Sequence, residues 1–167
     1  MTIRLIKYGV MFIALVLIQV LVLNQVQVSG YINPFVYILF ILLLPQSTPR
    51  YLLMIFGFLI GLSVDVFSNS LGIHAAATVF IAFIRPFVIR SISNREEDRN
   101  EYPGLRQNKF LWFLSYTAIM VFAHHFILFY LEYFTFSHFF TTFLRILLSS
   151  FFSIFVIVLS QFLIFRE

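Results

Sequence analysis

Long, mostly apolar runs alternate with short polar breaks along this chain. The runs cover about 6–25, 31–46, 50–67, 71–92, 110–133 and 139–165. Most approach or exceed the ~20 residues that a helix needs to cross a ~30 Å hydrocarbon core. The pattern predicts an all-α integral membrane protein, a six-helix transmembrane bundle forming one polytopic domain over 1–167. Residues 93–109 form its sizeable aqueous loop. The first run follows Arg4 and Lys7 and resembles a signal peptide, with Val28-Ser29-Gly30 as a weak cleavage site. It is longer than an h-region of about 7–15 residues and more spans follow, so it reads as the first helix. The second run is the shortest. Pro34 and Pro45 leave only Phe35 to Leu44 between them, about half of the core at 1.5 Å per residue. Starting at Tyr31 lengthens it, since Pro is tolerated in a first turn; a re-entrant segment is the alternative.

Composition narrows the class. Hydrophobic residues make up 61% and charged residues 11%, with 24 Phe. Soluble domains carry about 25% charged residues, so too few charges are present to cover a water-facing surface. A soluble enzyme, a disordered chain and a nucleic-acid-binding domain are all excluded as expectations. Cysteine is absent, which removes disulfides, thiol nucleophiles and cysteine-ligated metals.

Charge then sets orientation. Of eleven Lys and Arg, nine (Arg4, Lys7, Arg50, Arg90, Arg95, Arg99, Arg106, Lys109 and Arg166) fall on one side of a six-span model. The opposite loops 24–33, 68–70 and 134–138 hold none. The positive-inside rule makes the first side cytoplasmic, with both termini there. Five spans and an external N-terminus would move Arg4 and Lys7 outside and fit less well. The loop 93–109 reads mainly as a solvated segment that fixes topology; contact of Glu96, Glu97 and Asp98 with a partner is the alternative.

Ionisable groups within spans are costly, face the bundle and find partners. Four are present: Asp65, Arg85, Glu132 and Arg145. Asp65, Glu132 and Arg145 share the outer third, which predicts that Arg145 pairs with Asp65 or Glu132. The pair would hold register or line an outward-facing polar pocket. Arg85 lies fourteen residues after Leu71, ~21 Å deeper, and is expected to snorkel to inner headgroups. His125 shares a helical face with Phe129 and Glu132. An interhelical hydrogen bond is its expected role, with a place in the polar pocket as the alternative.

No metal, cofactor or catalytic site is read. His74, His124, His125 and His138 have no i, i+3 or i, i+4 spacing. There is no GxSxG, HExxH or phosphate loop. Asp65 and Glu132 could approach as an aspartic dyad, but Arg145 beside them would keep both ionised. Gly57-Phe58-Leu59-Ile60-Gly61 is a GxxxG with Asp65 on its drifting stripe, a close-packing face either internal or open to another protein. Ser149 and Ser153 form a weaker small-residue pair.

Residues 57–86 carry a resemblance. Gly57-Phe58-Leu59-Ile60-Gly61-Leu62-Ser63-Val64-Asp65-Val66-Phe67 leads to Leu71-Gly72-Ile73-His74-Ala75-Ala76-Ala77-Thr78 and to Phe83-Ile84-Arg85-Pro86. This is similar to MreD, the small rod shape-determining membrane protein family of bacteria. The resemblance implies motif positions at Gly57, Gly61, Asp65, Gly72 and Arg85, with no individual roles. It implies a fold similar to the S components of energy-coupling-factor transporters and an inner-membrane location. It also implies an MreC-like bitopic partner, with MreB, RodA and a class B transpeptidase in the same elongation machinery, and no catalysis. Two functions are therefore expected. One is a cell-shape and peptidoglycan-synthesis scaffold with close-packed faces. The other is a vitamin- or ion-transporter subunit with an outer pocket lined by Asp65, His125, Glu132 and Arg145.

Overall fold

The structure, a computed structural model, describes residues 2–25, 32–93, 101–133 and 139–164. The helices are α1 (Thr2–Leu21, followed by a 3-10 turn at Leu23–Gln25), α2 (Leu39–Leu43), α3 (Arg50–Ser68), α4 (Ile73–Ile92), α5 (Phe110–Tyr133) and α6 (Phe139–Ile164). Five segments are long and apolar enough to cross a membrane: Ile6–Gln25, Arg50–Ser68, Ile73–Ile92, Phe110–Tyr133 and Phe139–Leu163. Their outer faces remain apolar, with Ile6, Val10, Ile13 and Leu17 exposed on α1 and Phe140, Leu144, Phe151, Phe155 and Phe162 on α6. Exposed apolar surface of that extent marks a multi-pass membrane protein.

The helix expected over 31–46 is replaced by something else. Residues 33–36 are not helical, Tyr37 and Ile38 turn, and α2 is only five residues long. Both prolines contribute. Pro34 carries no N–H and disfavours helix at Asn33, and Pro45 drives Leu44 to an extended conformation, observed at φ −60°, ψ 148°. Between them the chain is nevertheless buried but for Leu43, which is half-buried, with Tyr37, Ile38, Ile41 and Leu42 at 0% exposure.

Two ends of the bundle can be defined. At the distal end, the tip of α1 meets the tip of α3, where Asn24 Nδ2 donates to Ser68 Oγ at 2.9 Å. So α1 and α3 run parallel, and the chain between them returns through the bundle. The return starts beside Gln19 near the distal end, where Gln19 Nε2 donates to Pro34 O at 3.1 Å and Val36 N–H donates to Gln19 Oε1 at 2.9 Å. It finishes at the proximal end, where Gln46 N–H donates to Glu101 O at 2.9 Å. The broken segment therefore occupies the axis of the bundle, ringed by α1, α3, α4, α5 and α6.

Unpaired backbone groups at such depth are tolerated only when protein satisfies them. Here Asn33 N–H donates to Ser149 Oγ at 3.0 Å and Phe35 N–H to Ser153 Oγ at 2.9 Å, both on α6. Gln19 supplies both an acceptor and a donor from α1. Tyr116 of α5 donates its hydroxyl to Leu42 O at 3.2 Å.

The loop after α4 is partly a packed structure. Pro103 and Gly104 are buried, and Asn108 Nδ2 donates to Tyr102 O at 3.0 Å and Gly104 O at 2.9 Å. Residues 94–100, which include Arg95, Glu96, Glu97, Asp98 and Arg99, lie outside the described residues, as do His138 and Arg166.

Candidate functional site

The GxxxG stripe of α3 faces α4 and is closed to any other protein. A Cβ on Gly61 would lie 2.5 Å from Ala75 Cα and 2.6 Å from His74 O, and one on Gly57 would lie 3.0 Å from Thr78 O. Only glycine lets the two backbones meet this closely. That contact places the end of α3 against the start of α4, and Asp65 completes it. Its Oδ1 accepts from His74 N–H at 3.1 Å, from Ser70 Oγ at 2.6 Å and from His74 Nδ1 at 3.0 Å, while Oδ2 accepts from Ala75 N–H at 2.8 Å. These are the orphan donors of a helix start, and a carboxylate is the strongest complement for them. Gly72, at φ +82°, takes the left-handed turn that brings α4 under that carboxylate.

The expected ion pair of Arg145 is not formed with Asp65 or with Glu132 among the described residues. Asp65 uses its oxygens on Ser70 and on the start of α4, and Arg145 is engaged by other groups. The guanidinium sits over the rings of Phe129 and Tyr133, at 5.3 and 5.5 Å. With its amide oriented so that oxygen meets a donor, Asn33 accepts from Arg145 Nη2 at 3.0 Å. Shared depth did not mean shared azimuth.

Arg85 does not snorkel. It is 1% exposed. Its Nε donates to Tyr116 OH at 3.0 Å, Nη2 donates to Leu44 O and Nη1 to Pro45 O at 3.5 Å. Pro45 ends α2 and leaves these carbonyls free, so a cation here caps a helix C-terminus. The five motif positions therefore act on the broken segment and on the α3–α4 joint.

A buried polar chain runs inward from Asp65. Thr78 Oγ1 donates to His74 O at 2.6 Å and lies 3.3 Å from Tyr37 OH, which is 2.7 Å from His124 Nε2. His125 joins α5 to α6: Nδ1 is 2.8 Å from Val121 O and Nε2 is 3.1 Å from Ser153 Oγ. A carbonyl can only accept, so Nδ1 carries the proton and Nε2 accepts from Ser153, whose oxygen receives Phe35 N–H. The Phe35 ring is wedged against all three imidazoles, with centroids 5.4, 5.9 and 5.3 Å from His74, His124 and His125.

At the distal rim lies a cavity of about 390 Å3, lined among others by Asn24, Asn33, Ser68, Ser70, His74 and Glu132. Of the four residues expected to line an outer pocket, Glu132 does so. Asp65 stands behind His74, His125 is fully buried, and Arg145 is held by Asn33 and its aromatic neighbours.

The arrangement does not form a hydrolytic triad. Asp65 and Ser70 both meet His74 at Nδ1, whereas a triad sets acid and nucleophile on opposite ring nitrogens. Nor is Asp65 available as half of a carboxylate dyad, since four donors already occupy it. Among the described residues no three His, Asp or Glu side chains converge as metal ligands.

Gln19, Asn33, Tyr37, Thr78 and Tyr116 do most of the work around the broken segment and were not singled out from sequence. Gln19 carried a usable signal, as an amide well inside an otherwise apolar span. Comparisons with protein-family models, with curated proteins and with solved structures return no match to this chain.

Proposed function

We propose that the chain is an MreD-like scaffold of the bacterial inner membrane, holding elongation proteins together in support of cell shape and peptidoglycan synthesis. In this reading it crosses the bilayer six times, the second time through the broken segment, with the proximal end and both termini cytoplasmic. One observation carries the reading. The five positions that the MreD resemblance singles out, Gly57, Gly61, Asp65, Gly72 and Arg85, all serve to shape the bundle. A motif spent on architecture suits a protein that works by presenting surfaces. The apolar outer faces of α1 and α6 offer room for a single-span partner of the MreC type. MreB, RodA and a class B transpeptidase complete the expected assembly.

Depletion in the bacterium that encodes the chain should round the cells, and the tagged protein should copurify with an MreC-like protein. Rod shape maintained after full depletion would overturn the reading. A second reading is a substrate-binding subunit of a vitamin or ion transporter, in line with the S-component likeness that the resemblance implies. The distal cavity favours it. A thermal-shift screen against vitamins and metals separates the two.

A further inference from the structure

We propose that the distal cavity is a binding site for a primary ammonium group, carried by a small free amine or by an ethanolamine lipid headgroup. This does not depend on the scaffold reading, since a protein of either function could hold such a group.

Among its described lining residues the cavity presents several acceptors, together with the side-chain amides of Asn24, Gln25 and Asn33, and no cation. His74 is the central acceptor. Its Nδ1 lies 3.0 Å from Asp65 Oδ1. A carboxylate engaged by donors can only accept there, so the proton is fixed on Nδ1. In the neutral ring, Nε2 is then a lone pair. It makes no hydrogen bond to a described residue, although His74 is nine-tenths buried and lines the cavity.

Glu132 is the second acceptor. It lines the same cavity and has no hydrogen bond or ion pair to any described residue. Ser68 and Ser70 add hydroxyl oxygens. None of the described lining residues is Lys or Arg. Arg145 is turned to Asn33 and to the Phe129 and Tyr133 rings.

A lone pair, a carboxylate and hydroxyl oxygens call for a positively charged ligand with N–H donors. An –NH3+ group has three donors and one charge. A quaternary ammonium has the charge but no donor. A carboxylate or phosphate placed against Glu132 in the ammonium's stead would meet like charge. The volume, about 390 Å3, falls within the ~300–1,000 Å3 of small-molecule sites. Its position where α3 and α5 end and α4 begins is the level at which a headgroup lies.

The protein should be purified in amine-free phosphate buffer and titrated calorimetrically with butylammonium chloride, with butanol, tetramethylammonium and butyrate as controls. In parallel, delipidated protein should be offered phosphatidylethanolamine and phosphatidylcholine in equal amounts and the retained lipid read by native mass spectrometry. Glu132 is exposed and has no partner among the described residues, so Glu132→Gln should fold normally and lower ammonium affinity about tenfold, as expected for loss of a charge-assisted hydrogen bond. His74→Gln removes the lone pair, and its folding is checked by thermal unfolding.

Binding of butylammonium alone identifies a soluble amine site. Retention of ethanolamine lipid alone identifies a headgroup site. Either supports the proposal, as do both together. It is overturned if butanol or tetramethylammonium binds as well as butylammonium, if neither amine nor ethanolamine lipid is preferred, or if Glu132→Gln leaves affinity unchanged.

Discussion

Asp65 accepts four hydrogen bonds on its two carboxylate oxygens. Removing it should therefore cost more than a surface cap. Asp65→Ala leaves two backbone N–H groups of α4 and the His74 ring without their acceptor. Loss of a cap costs about 1–2 kcal/mol, and buried donors left unsatisfied add about 1–3 kcal/mol. Thermal unfolding in detergent should show a shift of several degrees. The same geometry makes a sharper prediction. If Arg145 were the partner of Asp65, exchanging the charges, Asp65→Arg with Arg145→Asp, would restore stability. The structure expects no rescue: an arginine at 65 would point a cation at helix N–H groups, and an aspartate at 145 would lie against Phe129 and Tyr133. A double variant more stable than Asp65→Arg alone would refute this account. Arg85 belongs at the same scale. Lysine has the charge but lacks the fork that reaches Tyr116, Leu44 and Pro45 together. Arg85→Lys should unfold at lower temperature than the parent, and Arg85→Met lower still, because the freed carbonyls are enclosed.

The broken segment 33–46 is the element that makes the rest intelligible. Its helix is too short to satisfy its own backbone, so side chains from other elements do so: Tyr116 and Arg85 toward its end, and Gln19, Ser149 and Ser153 at its start. Ser153→Ala strands Phe35 N–H and breaks the bond that the hydroxyl donates to His125, and Ser149→Ala strands Asn33 N–H. Each should destabilise by about 1–3 kcal/mol. Gln19→Leu removes three bonds at once, two to the segment and one to Asn24, and should be the most costly of the three. Equal melting temperatures for all three variants and the parent would show that the backbone finds other partners. This element also marks where sequence reading stops. Pro34 and Pro45 announced a break, and the ten residues between them were visibly too few for a helical crossing. The solution was hidden, because the side chains that satisfy the segment's start lie 17, 116 and 118 positions away. The same holds for the ionisable residues. Apolar surroundings made Asp65, Arg85, Glu132 and Arg145 conspicuous, and their depth could be counted. Their partners could not, because the partners of Asp65 and Arg85 are largely backbone groups, which carry no signature in the sequence. The GxxxG was legible for the converse reason: its meaning is steric and local, and only the identity of the opposing helix had to come from the structure.

For the molecule as a whole, the decisive question is whether the axial segment crosses the bilayer or merely enters and leaves. The bond from Asn24 to Ser68 puts the tips of α1 and α3 at one end, and the bond from Gln46 to Glu101 puts the finish of the segment at the other. A chain with no cysteine permits a clean test by single-cysteine labelling in intact cells with a membrane-impermeant maleimide. Val22→Cys and Leu71→Cys lie at exposed distal positions, and Ser47→Cys and Arg106→Cys at exposed proximal ones. The six-crossing arrangement expects the first pair to react from outside and the second pair only after the cells are opened. Positive charge argues for the same sides, since Arg50, Arg90, Arg106 and Lys109 all gather at the proximal end. A re-entrant segment would expose Val22→Cys and Ser47→Cys to the same compartment. It would then force α1 and α3 to run antiparallel, which the Asn24–Ser68 contact does not allow. The labelling pattern of those two positions thus tests the fold and the membrane assignment in one measurement.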